Sequence, residues 1–402
     1  MQICYAMGIK MTEKTGKLAV NTGYYSMEVK EYPVPEAKED GLVIKIETFC
    51  ICGSDQHLVK VKEPHPAGVE GHEFMGRIIS MGNKANETLH VYGGDLKVGD
   101  RIVVYPHITC GKCDSCLTYG DGICGVCDND FIYGGVFLNM DDKMLNHDPE
   151  KWPYFKGGFA EYCYIFPGTY VWKIPDDMPG EIAALLDPCA VAMRAVEQTM
   201  TSIGGLDEGL SITSRCLVVG AGAIGIMTAM ILKQMGAQQV IITDFVDKKL
   251  EYAKDIAKVD IALNTSKMTA DERVARIIEL THGGANIVVN CANHPSSCIE
   301  ALKMVRKLGH YVEIGNAMDF GAGIVSEINI PAVVFEKNAH ITSVVANTPS
   351  CFDRAFKFLQ RHRELPFDKL ITHRFTKLEE IIPVMKRMGD TDFIKAACTF
   401  ED

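Results

Sequence analysis

The stretch Arg215–Gly225, RCLVVGAGAIG, constrains the fold more than any other part of the chain. A short apolar run gives way to Gly220-x-Gly222-x-x-Gly225, and an apolar helical pattern follows. Strand, glycine loop and helix in that order form the first turn of a nucleotide-binding βαβ unit. Gly220 permits the tight turn, Gly222 lets backbone approach a pyrophosphate, and Gly225 allows close packing of helix on strand. The helix start, with Ala223 and Ile224 in its first turn, would offer its unpaired N–H groups to the phosphates. Further apolar strands (Val240–Asp244, Ala285–Cys291, His310–Gly315) alternate with helical stretches (Ile224–Met235, Lys248–Val259, Asp271–Thr281, Ser296–Lys307). Such alternation predicts a doubly wound parallel sheet, an α/β Rossmann unit.

The strand Val240–Asp244 ends in an acid 24 residues after Gly220. A carboxylate there accepts hydrogen bonds from both ribose hydroxyls of NAD and repels the extra phosphate of NADP. No Arg follows directly to welcome that phosphate. Lys248 and Lys249 open the next helix, and Lys249 is a candidate contact to the adenosine ribose.

Before about Pro188 the texture is different. Short β-type runs such as Gly41–Thr48, Gly76–Met81 and Asp100–Tyr105 are broken by Gly, Pro and Asp, which predicts an irregular antiparallel β domain. After about Asn347 the chain turns mixed again, with a helix around Cys351–Arg361. With 402 residues and roughly 100–200 residues per domain, two domains are expected: 1–187, then 188–346, with 347–402 returning to the first. The segment Gly125–Lys156 is polar and aromatic-rich, shows no regular pattern, and is long enough to be functional.

A net charge of −11 argues against a nucleic-acid surface, which needs a basic patch. No apolar run approaches the roughly 18 residues of a membrane span, and Met1–Lys30 lacks the core of a signal peptide. A cytoplasmic protein is expected, and in that compartment fifteen cysteines read as thiols and metal ligands rather than disulfides.

Cys110, Cys113, Cys116 and Cys124 have the spacing C-x2-C-x2-C-x7-C. Four thiolates can close a tetrahedron around one zinc with no open position, which is a structural site. Cys127 is a near neighbour whose offset falls outside this pattern. Cys52, in ICGSDQH, and His72, in VEGHEF, offer one thiolate and one imidazole. An open catalytic zinc needs a third protein ligand besides these and a position for substrate.

Taken in order, CGSDxH, GHE, the cysteine run, GGFAEY (Gly157–Tyr162), GxGxxG and ITHRF (Ile371–Phe375) resemble the zinc-containing medium-chain dehydrogenase family. That family includes alcohol, sorbitol and threonine dehydrogenases. The resemblance covers nearly the whole chain and implies a GroES-like β catalytic domain beside the Rossmann domain. It implies two zinc ions per chain, one catalytic and one structural, with NAD as hydride carrier. Cys52 and His72 would bind the catalytic zinc, with Glu73 beside it. Ser54 would hydrogen-bond the substrate oxygen, Asp55 would orient the His ligand, and His57 would relay the proton outward. The family's third ligand precedes an interdomain helix, where this chain reads Leu186-Asp187-Pro188-Cys189. Asp187 occupies the matching position, and Cys189 is the alternative. Ser54 and the carboxylate before Pro188 point to a secondary alcohol or its ketone, polyol or sugar-like. Threonine and glutathione–formaldehyde dehydrogenation are the rival activities, and an NAD- and zinc-binding protein without turnover is a remote one. A homodimer or homotetramer is expected.

Overall fold

The computed structural model describes residues 11–62, 68–120, 126–135, 148–200, 209–315 and 327–401. Two sheets organise them. In the first, strands Leu42–Ile51, Glu73–Met81, Arg101–Val104 and Tyr170–Lys173 pair antiparallel in that order. Two strands from the far end of the chain extend it: Lys395–Thr399 pairs with Leu42–Ile51, and Ile371–Phe375 lies outside it. The tail is thereby built into the sheet that carries the first motifs.

The second sheet is six-stranded and parallel, in the order Ile261–Asn264, Gln239–Asp244, Arg215–Val219, Ala285–Asn290, Val305–Glu313, His340–Ser343. The chain enters at the third of these positions, winds to one edge, and then crosses to the other side. The order therefore reverses between Arg215–Val219 and Ala285–Asn290, where ligands of such sheets bind. Strands covered on both faces read as continuous apolar runs, and Cys216, Leu217 and Val218 are indeed fully buried.

Gly220 has a φ of 98°, open to glycine at little cost. A Cβ on Gly225 would lie 1.9 Å from the Gly220 carbonyl oxygen, so only glycine lets the helix Ala223–Gln234 sit this close. At Gly222 a Cβ would meet nothing within 4 Å. Its missing side chain leaves room outside the protein's own packing, as a bound phosphate would require. The helix expected over Ser296–Lys307 ends at Met304, because Val305 already pairs with Ala285 as a strand.

The helix Leu186–Glu197 joins the two sheets. Its Leu186, Ala190 and Val196 share one apolar core with Cys50, Met75 and Trp172 on one side and Val218, Ile226 and Val289 on the other.

Candidate active site

Cys52 follows the strand Leu42–Ile51 and caps the start of the helix Gly53–Val59. Asp55, fully buried in that helix, accepts a hydrogen bond from the Cys52 N–H through Oδ2 at 2.7 Å. Its Oδ1 lies 3.4 Å from Nδ1 of His72. One carboxylate thus fixes the backbone of the thiol and the ring of the imidazole.

His72 is held from the other side by the GGFAEY segment. Gly158 N–H donates to the Gly71 carbonyl at 2.6 Å and Phe159 N–H to that of Glu70 at 3.0 Å. Gly71 has a φ of 88°, and a Cβ there would come within 2.4 Å of the Phe159 ring. The two motifs, distant in sequence, are one packed turn.

The Cys52 sulfur, a His72 ring nitrogen and a Glu73 carboxylate oxygen all lie within 4.8 Å of one another. Soft thiolate, imidazole and carboxylate together are a zinc donor set. The charge around them makes the same case. Asp55, Glu70, Glu73 and Asp187 are buried here, and Lys395 is the buried cation that faces Glu73. Burial, and then the neighbouring Asp55, push the Glu70 carboxyl up to about 8. Burial raises that of Glu73, Lys395 opposing it and Asp187 adding to it. Buried carboxylates in excess of cations are costly, and a divalent cation supplies the missing charge.

Asp187 stands outside that close triad. It lies in the first turn of Leu186–Glu197, near enough to act on Glu73, but its Oδ1 accepts from Nδ2 of Asn347 at 3.0 Å. One oxygen of Asp187 is thus held by an amide, while Glu73 lies nearer Cys52 and His72 with its carboxylate paired to Lys395. Cys189, the alternative, is packed in the apolar core with its thiol pushed up to about 12 by burial. Ser54 and His57 are half-buried on the helix Gly53–Val59. They are three residues apart, hence on one side of it. Burial, then Lys60, lower the His57 pKa, so the ring is neutral at pH 7.

In the cysteine lobe the sulfurs of Cys110, Cys113, Cys116 and Cys127 lie within 4.8 Å of one another. Tetrahedral Zn–S bonds of about 2.3 Å place sulfurs about 3.8 Å apart, so the group is nearly the right size. Backbone N–H groups of Cys110 and Asn129 point at the Cys127 sulfur at 3.3 and 3.4 Å, as they would to a thiolate. Cys127, set aside on spacing, is thus brought into the group, while Cys124 lies outside the described residues.

In the cofactor crevice Asp244 ends its strand as expected. Its oxygens accept from the N–H groups of Ala221 and Val246 at 2.8 and 2.9 Å, which binds it to the glycine loop. Lys249 follows on the helix Asp247–Ala257, beside Lys248, which pairs with Glu251. Sequence reasoning missed Lys395, Asn347 and Glu70. Of these only Glu70 carried a signal, a charge two residues before His72 in an apolar setting.

Residues 38–176 match the alcohol dehydrogenase GroES-like domain, and residues 223–361 match the zinc-binding dehydrogenase domain. A sorbitol dehydrogenase of Bombyx mori is 25% identical over 383 residues, covering 92% of this chain and 94% of that protein. An L-threonine 3-dehydrogenase of Bacillus licheniformis is 30% identical over 286 residues, 69% of each chain. In three dimensions an alcohol dehydrogenase of Thermotoga maritima superposes with a TM-score of 0.81 at 22% identity, covering 96% of this chain and 100% of that one.

Proposed function

This chain belongs to the zinc-type medium-chain alcohol dehydrogenase family, and from that premise we propose that it oxidises a polyol-like secondary alcohol to its ketone with NAD. The observation that carries the reading is the set Cys52–His72–Glu73 with Asp187 beside it. Asp187 is tied to Asn347, four residues past the strand His340–Ser343. A connection leaving the carboxyl end of the parallel sheet, the side where dinucleotides bind, is thereby tied to a carboxylate of the proposed metal site, which supports the reading.

Cys52 and His72 would hold the catalytic zinc, with Asp187 as the carboxylate of the site and Glu73 beside it on Lys395. Cys110, Cys113, Cys116 and Cys127 would hold a structural one. The glycine loop with Ala223 and Ile224 would take the pyrophosphate, and Asp244 the adenosine ribose. When bound, zinc supplies Lewis acidity at the substrate oxygen and the nicotinamide supplies the hydride acceptor. The chain's own residues then move the proton. Ser54 accepts it from the substrate hydroxyl, and neutral His57, one turn along, carries it toward solvent. Asp55 keeps the His72 ring oriented throughout. A carboxylate among the ligands leaves the metal more positive than a second thiolate would, which suits hydroxyl-rich substrates.

Sorbitol and threonine dehydrogenases both stand among the relatives, so L-threonine is the second substrate to test. A homodimer is the assembly we favour: His340–Ser343 is an open edge of the six-stranded sheet, and its Ile341 is 47% exposed. Among the described residues no helix is long and apolar enough to cross a membrane.

The test is formation of reduced nicotinamide against polyols, inositols, diols, threonine and the glutathione–formaldehyde adduct. Turnover of a polyol or diol above the others is expected. Preferred turnover of threonine would replace the polyol reading, and no turnover by zinc- and NAD-loaded protein would reduce it to a binding function.

A further inference from the structure

The connection between the strand His340–Ser343 and the helix Pro349–Arg361 is fastened to the helix Leu186–Glu197 at two points. Arg194 donates through Nη1 to the carbonyls of Val345 and Ala346, at 2.9 and 3.5 Å. Asn347 donates through Nδ2 to Asp187, at 3.0 Å to Oδ1 and 3.3 Å to the backbone oxygen. Asp187 and Arg194 are seven residues apart, two turns, and so share one face of their helix. Ala346 makes the turn between the two fastenings with a left-handed backbone (φ 53°), uncommon for a residue with a side chain. The Asn347 carbonyl is fixed in turn by the hydroxyl of Tyr105, at 2.7 Å.

Asn347 is 1% exposed, and its Oδ1 is buried with no hydrogen-bond partner among the described residues. Flipping the amide would point that oxygen at the Asp187 carboxylate, acceptor against acceptor. The amide therefore serves Asp187 at the expense of its own oxygen. An unsatisfied buried acceptor is costly, and it persists here beside a carboxylate of the metal site.

We infer that Asn347 is a positioning residue that orients the Asp187 carboxylate toward the catalytic metal, tying that carboxylate to the end of the cofactor-binding sheet. This rests on the reading of Asp187 as a carboxylate of that site. The amide occupies one oxygen of Asp187 and leaves the other to a metal or its bound water. Because Asn347 belongs to the connection leaving the cofactor sheet, a shift of that connection reaches the metal through one hydrogen bond.

The test is cobalt(II) binding to the full chain, with the cysteine lobe as internal reference. Asn347→Leu keeps the volume and removes the donor. It should weaken cobalt at the Cys52–His72 site by roughly 10- to 100-fold, the usual effect of losing an outer partner of a ligand. It should also change that site's ligand-field absorption and leave the lobe's thiolate spectrum as it was. Asp187→Ala, run beside it, should change the same affinity and band. If Asp187→Ala does so and Asn347→Leu does not, the inference fails while Asp187 keeps its place. If neither does, the reading of Asp187 fails with it. Should Asn347→Leu disturb the fold, seen as loss of cobalt from the lobe too, Asn347→Ser decides. Retaining a donor, it should hold cobalt at the catalytic site more tightly than Asn347→Ala, and equal affinities would overturn the inference.

Discussion

The Lys395 ammonium lies 2.7 and 2.6 Å from the two carboxylate oxygens of Glu73, a residue 322 positions away, and both side chains are buried. The pair exists because Lys395–Thr399 and Glu73–Met81 flank Leu42–Ile51 on opposite sides. Burial alone would lower the lysine's pKa, yet Glu73 and the neighbouring Cys52 raise it above the ordinary value. The end of the chain thus sets the charge on a residue at the centre of the site.

Replacing Lys395 by Met leaves Glu73 buried without its partner. Breaking such a pair from one side costs about 3–5 kcal/mol. Urea unfolding of the metal-free protein should show that loss, since bound zinc would itself offset Glu73. Adding Glu73→Gln to Lys395→Met should restore most of it, because an apolar or neutral pair no longer carries a stranded charge. A single variant as stable as the wild type would show that the pair contributes nothing.

In the lobe, Cys127→Ser should remove one equivalent of zinc as measured by elemental analysis, and lower the melting temperature. Structural zinc contributes folding free energy directly. Cys124→Ser should keep the metal. The reverse result would return the fourth ligand to the position that spacing favours.

The parts legible in the sequence were those set by local physics. The glycine loop and its flanking strands are fixed by backbone conformation and continuous burial over eleven residues, and they stand where expected. Cys52 and His72 were legible as an ordered pair of motifs, but their closeness depends on the Gly71–Phe159 packing. Lys395 and Asn347 carry no local signature, since their partners are chosen by strand pairing and by a connection that crosses between sheets. Asp187 was found by its place before Pro188. The direction of its carboxylate could not be, because it is set by Asn347, 160 residues on. Cys127 was visible but fell outside the spacing pattern, and its sulfur joins those of Cys110, Cys113 and Cys116 because the path of the loop, not residue count, decides which sulfurs meet.

For His57 the expected effect is in the pH profile of alcohol oxidation. The ring must be neutral to accept a proton, and burial holds its pKa below 6.5. Rates should therefore be level above pH 6.5 and fall only as the pH drops through that lowered value. His57→Gln should abolish this acid limb and reduce kcat by about 100-fold, the low end for a positioned proton acceptor. An unchanged limb in the variant would place the titrating group elsewhere.

Asp244 has two duties that one substitution separates. Its oxygens brace the glycine loop through Ala221 and Val246, and each keeps a second lone pair for a ribose hydroxyl. Loss of the brace in Asp244→Gly would disturb any dinucleotide alike. Loss of the ribose acceptor weakens NAD alone, and loss of the negative charge favours the phosphate of NADP. Hydrogen bonds to a charged group are worth about 1.5–3 kcal/mol, so KM for NAD should rise about 10- to 100-fold. The KM for NADP should change much less, or fall. The informative quantity is the ratio of the two effects, because the brace cancels in it. Equal losses with both cofactors would leave Asp244 as a loop residue only, and would remove the ground for assigning NAD.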